Sequence, residues 1–301
     1  MKLTILFTLF LLLSFTAASG ATRRNAHKIL LGETEISVNV YENAGANVTF
    51  FAPHHNEQTA LKLAKEFVEK NGGRVVEIES YDENGNPSRY LKFNFKGKSY
   101  SVDPNRIFTQ NGRSRAGISG ELEQAIKAFA DALLPIIFSA DGKSLRENEK
   151  FIVAVHNNAD VDAKDADAKS GDLTAVAFVK GDESLLLSHG AFEAQADGVY
   201  LSNTETDADN FVFLSMPKYV SHFAERGFNV VIQKSAAKLQ SKQCSIDDGS
   251  LSVYSAQSNI SYICLEADGA NGAFRQRQML EAVYGLLPQS TFETNLNAVV
   301  K

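Results

Sequence analysis

Two runs of the chain, Phe151 to Val155 and Tyr262 to Leu265, are apolar on both of the faces that a strand presents. Strands of that kind belong in a sheet covered by helices on each side, because a sheet with one wet face alternates apolar and polar side chains. The rest of the chain fits the same frame. Short β-rich runs alternate with amphipathic stretches from Ile36 onward, without repeats and without a Pro/Gly/Ser linker long enough to divide the chain. The expected strands are Ile36 to Tyr41, Val48 to Ala52, Arg74 to Ser80, Tyr90 to Phe95, Ser99 to Val102, Phe151 to His156, Leu173 to Phe178, Phe211 to Ser215, Asn229 to Gln233 and Tyr262 to Ala267. Lys96-Gly97 reads as a hairpin turn. Helical spacing joins Ala60, Ala64, Phe67 and Val68, and again Leu122, Ala125, Ile126, Phe129, Ala130, Leu133 and Leu134, with Pro135 expected to end or kink the second helix. Further helices are expected over Pro217 to Glu225 and Phe274 to Leu286. The architecture that follows is a three-layer α/β/α sandwich with a mixed sheet, forming one domain over residues 22–301.

The first 21 residues have the pattern of a secretory signal peptide: Lys2, an apolar stretch from Ile5 to Leu13, then Ala17, Ala18, Ser19, Gly20 and Ala21. The apolar stretch is too short for a comfortable span, and no later segment approaches the roughly 20 apolar residues a span requires. The expectation is a secreted or extracytoplasmic protein of about 280 residues with no membrane span. Loss of Lys2 takes the formal net charge from −6 to −7, which argues against nucleic acid as a partner, since binding its phosphates relies on a positive surface. The only two cysteines, Cys244 and Cys264, are expected to pair as a disulfide in an oxidising compartment, bracing the strand that carries Glu266. Asn47-Val-Thr49 and Asn259-Ile-Ser261 fit the glycosylation acceptor pattern.

Four short motifs stand at expected strand ends: Pro-His54-His55-Asn-Glu57, Val-Asp103-Pro-Asn105-Arg106, Val-His156-Asn-Asn and Cys-Leu-Glu266-Ala. His54 and Glu57 lie three residues apart where a strand gives way to a helix, so both side chains can converge on one metal ion. His156 ends another apolar strand, where open α/β sheets place their ligands. Two histidines and a carboxylate hold Zn2+ while leaving a position open for water, the arrangement of a catalytic zinc. His55 competes with His54 but lacks the spacing to Glu57, and is expected to orient a neighbour or face solvent. Arg106 can grip a carboxylate through a two-pronged pair of charge-assisted hydrogen bonds, with Asn105 as a neutral donor, although Asp-Pro-Asn is also good turn chemistry. Glu266 enters a Gly-rich loop and suits a general base, its alternative being a helix cap.

In these motifs the chain resembles the zinc carboxypeptidase superfamily, including its aspartoacylase and succinylglutamate desuccinylase branch. The resemblance implies that His54, Glu57 and His156 are zinc ligands, that Asn105 and Arg106 bind a substrate carboxylate, and that Glu266 is the base. It extends from about Val48 to Glu266. His54 to Asn105 and Arg106 to His156 are each about 50 residues, close to the aspartoacylase branch. The 110 residues from His156 to Glu266 imply an insertion, to which the Asp-rich stretch from Asp160 to Asp172 belongs. The resemblance leaves open which arginine polarises the scissile carbonyl, Arg89 being the candidate, and the mobile tyrosine of carboxypeptidases has no secure match in Tyr254.

The resulting expectation is a secreted zinc-dependent amide hydrolase whose substrate is a peptide C-terminus or an N-acyl amino acid. Two alternatives stand beside it: an N-acyl or N-formyl amino acid deacylase, if the pocket is too small for a peptide, and a non-catalytic secreted binding protein on the same fold.

Overall fold

The computed structural model describes residues 22–115, 117–138, 151–158, 196–200, 202, 210–235, 247–269 and 271–287. The expected signal peptide, the stretch from Asp160 to Asp172, the expected strand Leu173 to Phe178 and Cys244 lie outside the described residues. The strands are β1 (Arg23–Leu31), β2 (Thr34–Asn43), β3 (Thr49–Ala52), β4 (Gly73–Ile78), β5 (Leu91–Phe95), β6 (Lys98–Val102), β7 (Phe151–Asn158), β8 (Ala196–Tyr200), β9 (Phe211–Leu214), β10 (Asn229–Gln233) and β11 (Ser261–Asp268). Nine of them form one sheet in the order β1-β2-β4-β3-β7-β11-β9-β10-β8, and β5 pairs with β6 in a separate hairpin. The centre, β4-β3-β7-β11, is parallel, whereas β1, β2, β9 and β8 each take part in an antiparallel pairing. The sheet is therefore mixed, as expected.

Alternation along the central strands divides the core into two layers. Phe50, Ala52, Val153, Val155, Ile263 and Leu265 face one way. They pack against Ala60, Leu61, Ala64, Phe67 and Val68 of α1 (Gln58–Asn71) and against Met279, Leu280 and Val283 of a C-terminal helix, Ala273–Tyr284. Phe51, Ile152, Ala154, Tyr262 and Cys264 face the other way, toward Ile126, Phe129, Leu133 and Ile137 of the helix Gly120–Phe138. Fully burying each such side chain contributes roughly 1.5–3 kcal/mol, so the two layers hold the strand order in place. Every residue on one face of β7 and β11 is thereby committed to one layer, and His156 and Glu266 share the face of Ala154 and Cys264.

Among the described residues the helices in chain order are α1, α2 (Gln110–Arg115), α3 (Gly120–Phe138), α4 (Val220–Ala224), α5 (Leu251–Gln257) and α6 (Ala273–Tyr284), with 3-10 turns at Pro104–Arg106 and Pro217–Tyr219. Of the two outcomes expected at Pro135, an end or a kink, the first does not occur: α3 continues to Phe138. The missing N–H of Pro135 frees the carbonyl of Asp131, and both residues are exposed, so water can take that carbonyl while Ile137 stays buried in register. The hairpin expected at Lys96-Gly97 is present with both residues at positive φ, 50° and 71°, the conformation of a type I′ turn. No described helix is long and apolar enough to cross a membrane.

β1 was not expected. Its residues from Arg23 to Lys28 are all exposed, with Arg23, Arg24 and Lys28 among them, and its strand form comes from pairing with β2 along its whole length.

One loop contact positions the segment after β6. The Phe108 N–H donates to the Gly249 carbonyl at 2.9 Å, and Asn105 Oδ1 accepts from the Leu251 N–H at 3.1 Å at the start of α5. Gly249 has φ 82°, and a Cβ there would lie 2.3 Å from the Arg106 carbonyl oxygen. Only glycine fits. Gly249→Ala is expected to cost at least about 1–3 kcal/mol, read as a fall of several degrees in the thermal midpoint. An unchanged midpoint would show that this junction yields freely.

Candidate metal centre

His54 follows the end of β3, and Glu57 occupies the N-cap position of α1. An N-cap carboxylate ordinarily accepts a hydrogen bond from the first helical turn, yet Glu57 makes no such bond. Asn157 of β7 does that work instead, its Oδ1 accepting from the Ala60 N–H at 2.8 Å. The Glu57 carboxylate is thereby released to turn toward the sheet. Its Oε1 lies 2.7 Å from His54 Nδ1, and its Oε2 lies 2.9 Å from His156 Nδ1.

All three residues are buried, and their candidate ligand atoms lie within 4.8 Å of one another. Oε2 of Glu57 is served within the protein by the 2.9 Å approach of His156 Nδ1 and makes no further hydrogen bond. Two imidazole nitrogens and that oxygen, facing one point, form a donor set that suits a divalent cation, and zinc takes just these ligand types.

Asp103 gives the set its polarity. Its Oδ1 lies 2.9 Å from His54 Nε2 and accepts the Asn105 N–H at 2.7 Å. Its Oδ2 accepts from Arg89 Nε at 3.1 Å and lies 3.0 Å from Arg89 Nη2. A carboxylate on one imidazole nitrogen keeps the proton there and leaves the lone pair of the other for a metal. Asp103 was expected only as part of a turn.

Without a metal, the groups hold one another charged. Burial pulls His54 down, but Glu57 and Asp103 outweigh it and raise its pKa to about 9. Burial opposes ionisation of Glu57, yet His54 and His156 draw it far below the ordinary carboxylate range. Asp103 is likewise held well below that range against its burial, by His54, Arg89 and Arg106.

Glu266 lies opposite His156 in the parallel pairing of β11 with β7, so the expected base stands beside an expected ligand. Burial pushes its pKa up. The Cys264 thiol, two residues earlier on the same face, donates to Glu266 Oε1 at 3.1 Å. Cys264 is a free, buried thiol. The disulfide expected with Cys244 is therefore not seen at Cys264: its side chain points into the packed layer between Tyr262 and Glu266.

Asn105 and Arg106 lie just beyond Asp103. Asn105 spends its Oδ1 on the start of α5, and Arg106 Nη1 donates to the Asn105 carbonyl at 2.8 Å. The same Nη1 stands 3.7 Å from Asp248 Oδ2. Arg89 is drawn to Asp103 and, at 3.5 Å, to Glu57 Oε1. His55 takes no part in this group; it is buried against Ser80 O at 2.8 Å and Glu77 Oε1 at 3.2 Å, tying the end of β3 to β4. Tyr254 packs between Phe108 and Phe138.

No family model matches the chain, and no curated protein matches it. Among solved structures, it is similar to a candidate metallopeptidase from Shewanella denitrificans at 15% identity, covering 86% of this chain and 82% of that one with a TM-score of 0.34. It is also similar to an aspartoacylase family protein from Mesorhizobium loti at 11% identity, covering 89% and 69% with a TM-score of 0.35. A candidate carboxypeptidase from Burkholderia mallei matches at 11% identity over 86% and 63%, with a TM-score of 0.36. These likenesses are distant, and the reading of the site rests on its own geometry.

The raised pKa of His54 links stability to pH in the metal-free protein. Its ordinary value is 6.5 and its folded value about 9, so its contribution is complete below about 6.5 and is lost as pH rises through about 9. Chemical denaturation of the metal-stripped protein should give a midpoint that falls over this interval, and His54→Gln should flatten the fall. A midpoint that rises between those limits would contradict the assigned charge.

Proposed function

We propose that this chain is a secreted, zinc-dependent amide hydrolase acting on a carboxylate-bearing substrate, a peptide C-terminus or an N-acyl amino acid. The observation that supports it most is the convergence of His54 Nδ1, His156 Nδ1 and the Glu57 carboxylate, with Glu266 in register beside His156. Export by the segment 1–21 and a single domain over 22–301 belong to the same reading.

His54, Glu57 and His156 are the residues that would hold the metal. A zinc ion there supplies Lewis acidity, polarising a carbonyl oxygen and acidifying a water molecule. Glu266 takes the proton from the attacking water and passes it to the leaving amine. Its burial raises its proton affinity, which suits a group that must hold a proton between the two steps. Asp103 fixes the ring of His54 and keeps Nδ1 available. Arg106 binds the substrate carboxylate through its planar fork. Asp248 Oδ2 has no hydrogen-bond partner and stands 3.7 Å from Arg106, a loose pairing that a two-pronged carboxylate can replace.

Purified protein is expected to contain about one Zn2+ per chain, removed by His156→Ala; full zinc in that variant would sink the ligand assignment. Glu266→Gln should retain zinc and substrate binding while turnover falls at least about 100-fold. Full activity in that variant would place the base elsewhere. If the unaltered protein binds ligand and hydrolyses nothing across a panel of peptides and N-acyl amino acids, it is a binding protein.

Arg106→Ala should erase the preference for a free carboxylate over its amide, and Arg106→Lys should restore only part of it, since an ammonium cannot reproduce the fork. Equal turnover of free-acid and amidated substrates by the unaltered enzyme would contradict this role.

A further inference from the structure

The free thiol of Cys264 is unused by the mechanism above, yet it lies beside the proposed base. Among the described residues, a second set of metal-ligating atoms, those of His156, Cys264 and Glu266, also falls within 4.8 Å of one another. Strand geometry brings it about. Cys264 and Glu266 are two positions apart on one face of β11, and Glu266 is paired with His156 on β7. All three side chains lie at or near the core, with Phe211 and Phe213 of β9 paired with Glu266 and Cys264 on the other side.

We propose that His156, Cys264 and Glu266 form a second metal position, suited to thiophilic divalent ions, that overlaps the first centre and occupies the base when filled. The two positions differ in chemistry. The first offers two nitrogens and an oxygen, whereas the second offers nitrogen, oxygen and sulfur, and thiolate ligands favour soft or borderline ions over hard ones. Binding is a proton exchange: the ion forms bonds to sulfur, to the Glu266 carboxylate and to Nε2 of His156, whose Nδ1 serves the first centre, and the Cys264 S–H and His156 N–H bonds break with both protons passing to water. The thiol–carboxylate hydrogen bond at 3.1 Å is replaced by a shared ion, which needs only a slight opening of the pair. A Glu266 that ligates an ion cannot accept a proton from water, so occupancy inhibits turnover. That last consequence rests on the hydrolase reading; the binding does not.

The test uses full-length protein carrying Cys244→Ser, which leaves Cys264 as the sole thiol. It is loaded with one equivalent of Zn2+ and titrated with Cd2+, following the ultraviolet charge-transfer band of cadmium bound to thiolate. The expected result is a band that saturates near one further equivalent while Zn2+ stays bound. Glu266→Gln should weaken Cd2+ binding at least about tenfold, and His54→Ala, which disables the first centre, should leave the band in place. Hydrolysis should fall in step with the band. Absence of the band, a band indifferent to Glu266→Gln, or release of Zn2+ mole for mole as the band grows would each overturn the second position. A band formed by a protein without hydrolytic activity would support the position and count against the hydrolase reading.

Discussion

The buried carboxylate of Glu57 is the constraint around which this site is arranged. An isolated ionised group in a protein interior is expensive, and it persists only where opposite charges and donors surround it. Here the two histidines meet it from the loop after β3 and from β7, and Arg89 approaches its Oε1 at 3.5 Å. The start of α1 adds a favourable dipole, since helix N-termini attract negative charge. Asn157 completes the arrangement by capping the helix in place of Glu57. With a cation absent, the raised proton affinity of His54 keeps a positive charge beside the carboxylate; a bound cation would take over that role, with the displaced proton passing to water.

Sheet geometry then decides which groups share that environment. The parallel centre sets the end of β3, His156 of β7 and Glu266 of β11 side by side at the carboxyl ends of adjacent strands, the usual place for ligands in open α/β sheets. Asp103 arrives from outside the main sheet, carried by the β5-β6 hairpin, whose Leu91, Phe93 and Val102 are buried in the same layer as α3. The contact between Gly249 and the Arg106 carbonyl fixes the far end of that excursion. Exposed ion pairs such as Lys127 with Asp131 contribute little by comparison, being screened by water.

Much of this was legible in the sequence because it is written in period and spacing. The apolar runs of β7 and β11, the helical spacing of α1 and α3, and the separation of His54 from Glu57 all survive in the folded chain. What was not legible depends on partners. The polar run Arg23 to Lys28 has no strand signature and becomes β1 only by pairing with β2. α5 has seven residues, too few to show a helical period, and is held by the Ser250 cap and the Asn105 side chain. The role of Asp103 depends on a contact with His54 across 49 positions of sequence. Cys264 was read from the redox compartment, although its place two residues before Glu266 on a strand already put both side chains on one face.

β1 ends the sheet on one side, and there lies its colloidal significance. A strand at a sheet margin offers unpaired backbone groups to any other chain, which invites one molecule to extend the sheet of the next. In β1 that invitation is blunted by composition, since Arg23, Arg24 and Lys28 would bring like charge up to a neighbouring copy. Among the described residues, the carboxylate that pairs with these charges is Glu79, with Arg24 at 3.2 Å. The least water-loving exposed residue, Leu30, sits at the strand's far end beside the turn to β2, where little margin remains for a neighbour to follow. The same polarity that hid this strand from sequence patterns therefore weighs against extending the sheet from one molecule to the next.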